Sequence, residues 1–142
     1  MTNSELNVTV IQGPVGQLEA RLTQPMPDPT GKIASPRAAA VFAHPHPLHG
    51  GTMHSKVVCH ATKALNRIGC TTLRFNFRGV GSSGGTFSGA GGEQDDFRAA
   101  LDVMATRYPG IELWAAGYSF GAFVALNAAV NDPRISALLA VA

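Results

Sequence analysis

The most informative segment of the chain reads Gly117-Tyr118-Ser119-Phe120-Gly121. An apolar, strand-like run precedes it at residues 111–116, and a charge-free, helix-like run follows it at residues 122–130. A serine at a sharp turn from strand to helix is held away from the sheet, where its hydroxyl can act as a nucleophile. Glycines are expected on either side because side chains there would clash with the neighbouring strand and helix. The segment therefore predicts that Ser119 is a catalytic nucleophile, the alternative being a glycine-rich turn that only allows close packing.

The composition indicates one globular domain with a substantial core. The chain has 142 residues, of which 45% are hydrophobic and 14% charged, too apolar for a disordered segment. The net charge of +2 and the scattered basic residues argue against a nucleic-acid partner. Residues 1–5 lack the features of a signal peptide, so we expect a cytoplasmic location. Residues 113–131 carry no charge, but their glycines argue against a membrane helix.

The hydrophobic pattern predicts an α/β fold. Predicted strands cover residues 6–11, 18–22, 37–43, 71–77, 111–116 and 135–142, and predicted helices cover residues 56–68, 93–108 and 122–130. The order is an N-terminal β-hairpin, then strand and helix three times, then a strand. Such alternation predicts a mostly parallel sheet with helices on both faces. The helix after Ser119 is apolar all round, which is typical of a fully buried helix.

A serine nucleophile needs backbone N–H donors that stabilise the negative oxygen of the reacting group. One donor is expected from the residue after the serine, Phe120, and the other from the loop after the third strand, residues 44–51. Both prolines of that loop lack an N–H, and His44 is expected at the strand end. The remaining donors are His46 and, as the weaker alternative, Leu48.

Four of the five histidines fall in or next to this loop, namely His44, His46, His49 and His54. A metal site is one interpretation, because alternate residues of an extended segment point to the same side. No cysteine or obvious carboxylate nearby completes a ligand set, so we expect no metal. We expect instead that the rings form pocket walls and hydrogen-bond to the backbone, and that the remaining histidine, His60, lies on the surface or packs against the helix.

Two further features have a structural and a functional interpretation. Cys59 and Cys70 are too few for a disulfide framework and are interpreted as small buried hydrophobic residues. The glycine- and serine-rich loop at residues 78–92 lacks the pattern of a phosphate-binding loop, so no nucleotide cofactor is expected. Arg78 within it either steers an anionic substrate or anchors the turn to neighbouring carbonyls or carboxylates.

Taken together, three segments resemble the α/β-hydrolase superfamily, and most closely its small, lidless bacterial members akin to dienelactone hydrolases and compact carboxylesterases. These segments are residues 44–51, 74–84 and 117–121, and the resemblance extends over nearly all the chain. The resemblance implies a serine hydrolase in which Ser119 is the nucleophile, with Phe120 and the His46 region as the oxyanion hole. It also implies a small-molecule acyl substrate, which is an ester, a thioester or a lactone.

The chain departs from the family pattern after Ser119. The family places its acid and its histidine after later strands, whereas no histidine follows His60 here and Asp132, which precedes a strand, is expected at the opposite end of the sheet. Residues 1–142 therefore resemble a single α/β-hydrolase domain that is truncated at its C-terminal end and lacks the last strands. The predicted strand at residues 135–142 is then an apolar edge open to pairing.

Three hypotheses account for the departure: truncation, a companion C-terminal segment, or completion of the domain in an oligomer. A general base is then absent from its usual place, unless His46, His49 or His54 serves instead. The alternative function is a non-catalytic α/β module or fragment that binds an acyl ligand or a partner.

Overall fold

The computed structural model describes residues 8–142, in which strands and helices alternate as predicted. The strands are β1 (Val10–Gly13), β2 (Gly16–Thr23), β3 (Ala38–Ala43), β4 (Cys70–Phe75), β5 (Glu112–Tyr118) and β6 (Ile135–Val141). The α-helices are α1 (Lys56–Arg67), α2 (Gly91–Arg107) and α3 (Phe120–Asn131), and a short 3-10 turn covers Pro47–His49. The predicted first strand began at residue 6, and its first two residues lie outside the described part of the chain.

The strands form one sheet in the order β1-β2-β4-β3-β5-β6. The β3–β4, β3–β5 and β5–β6 pairs are parallel, whereas the hairpin strands β1 and β2 pair antiparallel with each other and β2 continues antiparallel onto β4. The predicted hairpin and the mostly parallel sheet are both confirmed. The carboxyl ends of β3, β4 and β5 share one edge, so the loops that follow these strands are neighbours there.

The helices cover both faces of the sheet, as predicted. Along β3, residues 39, 41 and 43 pack into the cluster formed with α2 and α3, and residues 38, 40 and 42 pack into the cluster formed with α1. Every residue of β3 and of β4 is buried, which is the pattern of central strands covered on both sides. The loops at the carboxyl edge therefore stand on a rigid support.

Helix α3 is less buried than its composition predicts. Phe123, Leu126 and Val130 are 53%, 47% and 75% exposed, so the prediction of a fully buried helix is wrong. A helix in the outer layer of a sheet protein buries one face only, and here its apolar outer face has no covering element within residues 8–142. The predicted apolar edge is present, because Leu138 and Leu139 on β6 are 38% and 42% exposed.

The charge-free segment at residues 113–131 is not a single helix. It is divided between β5 and α3, and α3 has only 12 residues, against about 20 for a spanning helix. None of the helices within residues 8–142 has the length and apolar character needed to cross a bilayer.

The start of α3 lies against the end of β3 through Gly121. A Cβ atom at this position would overlap the carbonyl group of Ala43. We predict that Gly121→Ala lowers the free energy of unfolding by about 1–3 kcal/mol, the usual cost of overpacking a close contact, as measured by urea denaturation. The control is Gly91→Ala in α2, where a Cβ meets no atom within 4 Å. We expect that variant to be neutral or slightly stabilising, and equal effects of the two changes would contradict the close contact.

Candidate active site

Ser119 occupies the junction between β5 and α3 and is exposed. Its backbone has φ 56° and ψ −116°, a conformation that costs a residue with a side chain on the order of 1–3 kcal/mol. Three backbone hydrogen bonds hold it in place. The Ser119 N–H donates to the carbonyl of Val141 at 2.8 Å, and its carbonyl accepts from the N–H groups of Ala122 at 2.9 Å and Phe123 at 3.2 Å. The turn is therefore sharp and fixed, with the serine side chain at the surface.

The glycines around Ser119 are required by close backbone contacts. A Cβ atom at Gly117 would overlap the carbonyl group of Gly121, and one at Gly121 would overlap that of Ala43. Neither position has a positive φ, so space rather than backbone conformation selects glycine here. This is the reason that the sequence pattern suggested.

Two unused backbone donors lie on the segments next to Ser119. Within residues 8–142, neither the N–H of Phe120 nor that of His46 donates a hydrogen bond. Phe120 is the first residue of α3, where N–H groups have no partner within the helix. The His46 and Phe120 rings are 5.0 Å apart between centroids. The weaker alternative donor, Leu48, is occupied, because its N–H donates to Nδ1 of His46 at 3.1 Å.

Backbone hydrogen bonds within the loop that carries His46 fix its conformation. The His46 carbonyl accepts hydrogen bonds from the N–H groups of His49 and Gly51, each at 3.0 Å. A Cβ at Gly51 would overlap the carbonyl group of Pro45, so the glycine allows the chain to return this closely. Farther along, the Met53 N–H donates to Oδ1 of Asn76 at 2.8 Å, which ties the loop to the segment after β4.

His44 is a structural residue at the base of this loop. It follows the last residue of β3 and is fully buried. Its Nε2 accepts from the N–H of Phe77 at 3.1 Å, so Nδ1 carries the proton and donates to the Pro45 carbonyl at 2.7 Å. Burial lowers the pKa of His44 to about 4. The ring is therefore neutral and fully hydrogen-bonded, and neither nitrogen is available to bind a metal or to take a proton from Ser119.

The other histidines and the cysteines do not form a metal site. Within residues 8–142 no group of three or more histidine, cysteine, aspartate or glutamate residues is placed to hold an ion. His54 and His60 are exposed. Cys70 is buried as predicted, but Cys59 is only half-buried, so that prediction is wrong for Cys59. Its Sγ instead accepts a hydrogen bond from the Arg74 guanidinium at 3.0 Å.

Arg78 anchors its turn and does not steer a substrate. Its guanidinium pairs with the Asp96 carboxylate through Nη2 at 2.8 Å and through Nε at 3.1 Å, and both side chains are buried. The backbone N–H of Arg78 also donates to Asp96, at 3.0 Å. These bonds raise the pKa of Arg78 above its usual value. Of the two interpretations of Arg78 from the sequence, the structural one is confirmed and the steering role is wrong.

Phe87 is a residue that the sequence analysis missed. It lies in the glycine- and serine-rich loop, and its ring centroid is 5.0 Å from that of His46 and 6.0 Å from that of Phe120. Phe77 contacts Phe120 from the buried side at 5.7 Å. A lone aromatic residue in a loop of small residues was the available signal, since such a side chain needs a packing partner or a ligand.

No general base is hydrogen-bonded to Ser119 within the described part of the chain. Asp132 precedes β6, which runs parallel to β5, so it lies at the opposite end of the sheet from Ser119, as predicted. Its carboxylate is occupied by Arg134 at 2.7 Å, which holds the pKa of Asp132 below its usual value. The described residues therefore provide Ser119 and two unused backbone N–H donors, but no base that is hydrogen-bonded to the serine.

Comparison with known proteins identifies relatives over most of the chain. Residues 35–142 match the Hydrolase_4 family model, described as serine aminopeptidase, S33. An uncharacterized protein of Rickettsia prowazekii is 41% identical over 131 residues. The match covers 91% of this chain and 52% of the relative, so the chain spans about half the length of that protein.

Solved structures with the same arrangement are also longer than this chain. A structure of an alpha-beta serine hydrolase homologue from Coxiella burnetii is 41% identical, with a TM-score of 0.84, and the match covers 92% of this chain and 60% of that one. A structure from Xanthomonas campestris, described as an α/β serine hydrolase without lid, is also 41% identical, with a TM-score of 0.82. That match covers 92% of this chain and 58% of the other.

The buried state of His44 predicts a pH-dependent stability. Its pKa is about 4 in the fold against 6.5 when exposed, so the unfolded chain binds the extra proton first and stability falls as pH drops from about 6.5 to 4. Between pH 7 and pH 4.5 we expect His44 to account for a loss of about 2–3 kcal/mol in the free energy of unfolding. Urea denaturation should show a smaller loss over this interval for His44→Gln. The exposed His60→Gln is the control, and the prediction is wrong if His44→Gln keeps the full wild-type loss.

Substitutions at Asp96 and at its neighbour Asp95 test how much the contact between Arg78 and Asp96 contributes to stability. Asp96→Ala leaves a buried guanidinium without its counter-ion, and we expect a loss of about 3–5 kcal/mol in the free energy of unfolding. Asp95→Ala removes only the exposed pair with Arg98, which we expect to cost at most about 1 kcal/mol. Comparable losses for the two variants in urea denaturation would argue against an anchoring role for Arg78.

Proposed function

The chain belongs to the α/β-hydrolase superfamily, as its sequence motifs predicted, and on that premise we propose that it is a serine hydrolase of carboxylesterase type. Its substrate is a small ester, thioester or lactone, and its intermediate is an acyl-enzyme on Ser119. The observation that carries this proposal is the exposed, strained Ser119 next to two backbone N–H groups that have no other partner in the described chain.

In the proposed reaction, Oγ of Ser119 attacks the carbonyl carbon of the substrate. The carbonyl oxygen becomes negative and accepts hydrogen bonds from the N–H groups of Phe120 and His46, which form the oxyanion hole. Collapse of this intermediate expels the alcohol or thiol and leaves the acyl group on Ser119. Water then attacks the ester and releases the carboxylic acid, which restores the serine. In each half-reaction, a base must take one proton from the attacking oxygen and return it to the leaving group.

We propose that this base is a histidine supplied by a companion C-terminal segment or by a second copy of the chain. None of the candidates from the sequence, His46, His49 and His54, is hydrogen-bonded to Ser119 within residues 8–142. The buried His44 has both nitrogens engaged, so it does not fit the role. Loss of the base costs a serine hydrolase several orders of magnitude in rate, while an intact oxyanion hole retains a residual acceleration of about 10³–10⁴-fold over water. Ser119 and the proposed oxyanion hole are the parts of the mechanism that the described residues themselves contribute.

The charges near the site favour an ester over a peptide substrate. An aminopeptidase needs an acceptor for the α-ammonium group of its substrate, because an unpaired buried charge is costly. Within residues 8–142, the two buried carboxylates next to the glycine- and serine-rich loop are already occupied, Asp96 by Arg78 and Glu93 by Ser88. A structural neighbour, Est1E from Butyrivibrio proteoclasticus, has been solved with ferulic acid bound. It is 25% identical, with a TM-score of 0.73, and it adds support for a carboxylic-acid product.

The alternative function is a non-catalytic module that binds an acyl ligand or a partner. The observation in its favour is that no base is hydrogen-bonded to Ser119 among residues 8–142. The same serine would then serve only to complete a turn. The two functions differ in whether Ser119 reacts with electrophiles.

A fluorophosphonate probe decides between them when it is applied to the protein together with the segment or second copy that supplies the base, because it forms a covalent adduct with an activated serine. We expect intact mass and peptide mapping to show one adduct on Ser119, and Ser119→Ala to abolish it. Ser136→Ala, at an exposed serine on β6, is the control and should be labelled like the wild-type chain. Labelling that persists in Ser119→Ala refutes the proposed nucleophile, and absence of labelling in the wild-type chain supports the non-catalytic module.

A further inference from the structure

Three aromatic rings meet beside Ser119, and we call His46, Phe87 and Phe120 the aromatic wall. The His46 ring lies 5.0 Å from each of the other two rings, and the Phe87 and Phe120 rings lie 6.0 Å apart. All three residues are half-buried, so each ring is packed on one side and accessible on another. The wall is therefore an ordered apolar surface next to an exposed nucleophile.

Phe87 is fixed in place despite the small residues around it. On one side its backbone passes close to Gly79, where a Cβ would lie 3.2 Å from the Phe87 nitrogen. On the other side the N–H of Ser88 donates at 3.0 Å to the carboxylate of Glu93, which is fully buried on α2. The Ser88 hydroxyl bonds to the same carboxylate. These contacts fix the backbone on both sides of Phe87, and so they fix the position from which its ring projects.

The wall adjoins the proposed oxyanion hole. Two of its rings, His46 and Phe120, belong to the residues whose N–H groups form that hole. A substituent on a carbonyl held there therefore lies near the wall. The nearby Arg78 is committed to Asp96, so it offers no free charge for an anionic substituent. Aromatic faces and edges are best matched by another ring.

We propose that Phe87 is a specificity-determining residue that binds an aromatic ring of the substrate, and that the preferred substrates are esters or thioesters of carboxylic acids that carry an aryl group. This inference rests on the proposed function for the placement of the carbonyl. Phe87 is the informative member of the wall because it contributes only its side chain, whereas His46 and Phe120 also contribute backbone donors. Substitution of Phe87 thus changes the wall and leaves both N–H groups in place.

The test compares two product-like acids that differ in aromaticity and little in size. Phenylacetate and cyclohexylacetate are titrated into the full chain, and dissociation constants are measured from amide chemical shifts in NMR spectra. We expect phenylacetate to bind about twofold to tenfold more tightly, the range that an aromatic pair adds beyond its buried area. Phe87→Leu should bring the ratio of the two constants close to one. Phe87→Tyr, which keeps the ring, should restore it.

Phe123→Leu is the matched control, because Phe123 is an exposed phenylalanine on α3 outside the aromatic wall. We expect it to keep the wild-type ratio. A wild-type ratio near one, or an unchanged ratio in Phe87→Leu, overturns the inference, and so does the absence of binding by either acid.

Because the titration measures binding without turnover, its outcome is separate from that of the serine test. The same ratios are expected in Ser119→Ala, where both backbone donors remain. If Ser119 is labelled but Phe87→Leu leaves the ratio unchanged, the proposed function stands and the proposed substrate class is wrong. If Ser119 is not labelled but the chain still prefers phenylacetate through Phe87, the aryl-binding site stands and the proposed hydrolase function is wrong.

Discussion

The site depends on how closely the first turn of α3 approaches the end of β3. Gly121 lies against the carbonyl group of Ala43, and this leaves no room for a side chain. Next to this contact, Ser119 has a positive φ. The contact also brings the start of α3 beside the end of β3, where the loop that carries His46 begins. This close approach is possible because the two backbones meet without side chains between them.

A second group of contacts keeps the loops at this edge in place. His44 joins the loop after β3 to the segment after β4, because its Nε2 accepts from the N–H of Phe77 while its Nδ1–H donates to Pro45 in its own loop. Arg78 and Asp96 attach the glycine-rich loop to α2. These polar groups are buried and satisfied, and each of them links two different segments. The loops of the candidate site are rich in glycine and other small residues, but these buried polar contacts fix their conformation. Preorganised catalytic sites require such fixed loops.

The sequence predicted the order of the elements and the turn at Ser119, because periodicity and glycine positions are local properties. Its preference for the N–H of His46 over that of Leu48 as the second donor stays a prediction. It did not predict Phe87, because that contact depends on how a loop folds back over residues 41 positions away. It overestimated the burial of α3, since an apolar composition does not report which neighbours are present. The role of Arg78 also required the structure, because its partner Asp96 lies on a different element.

The hydrogen bond between the N–H of Ser119 and the carbonyl of Val141 has a mechanical consequence. Val141 is the last residue of β6, which pairs only with β5 among the described strands. The outermost described strand therefore helps to hold the Ser119 backbone in its positive-φ conformation. Any contact that stabilises the end of β6 also stabilises, through this hydrogen bond, the turn that carries the Ser119 hydroxyl.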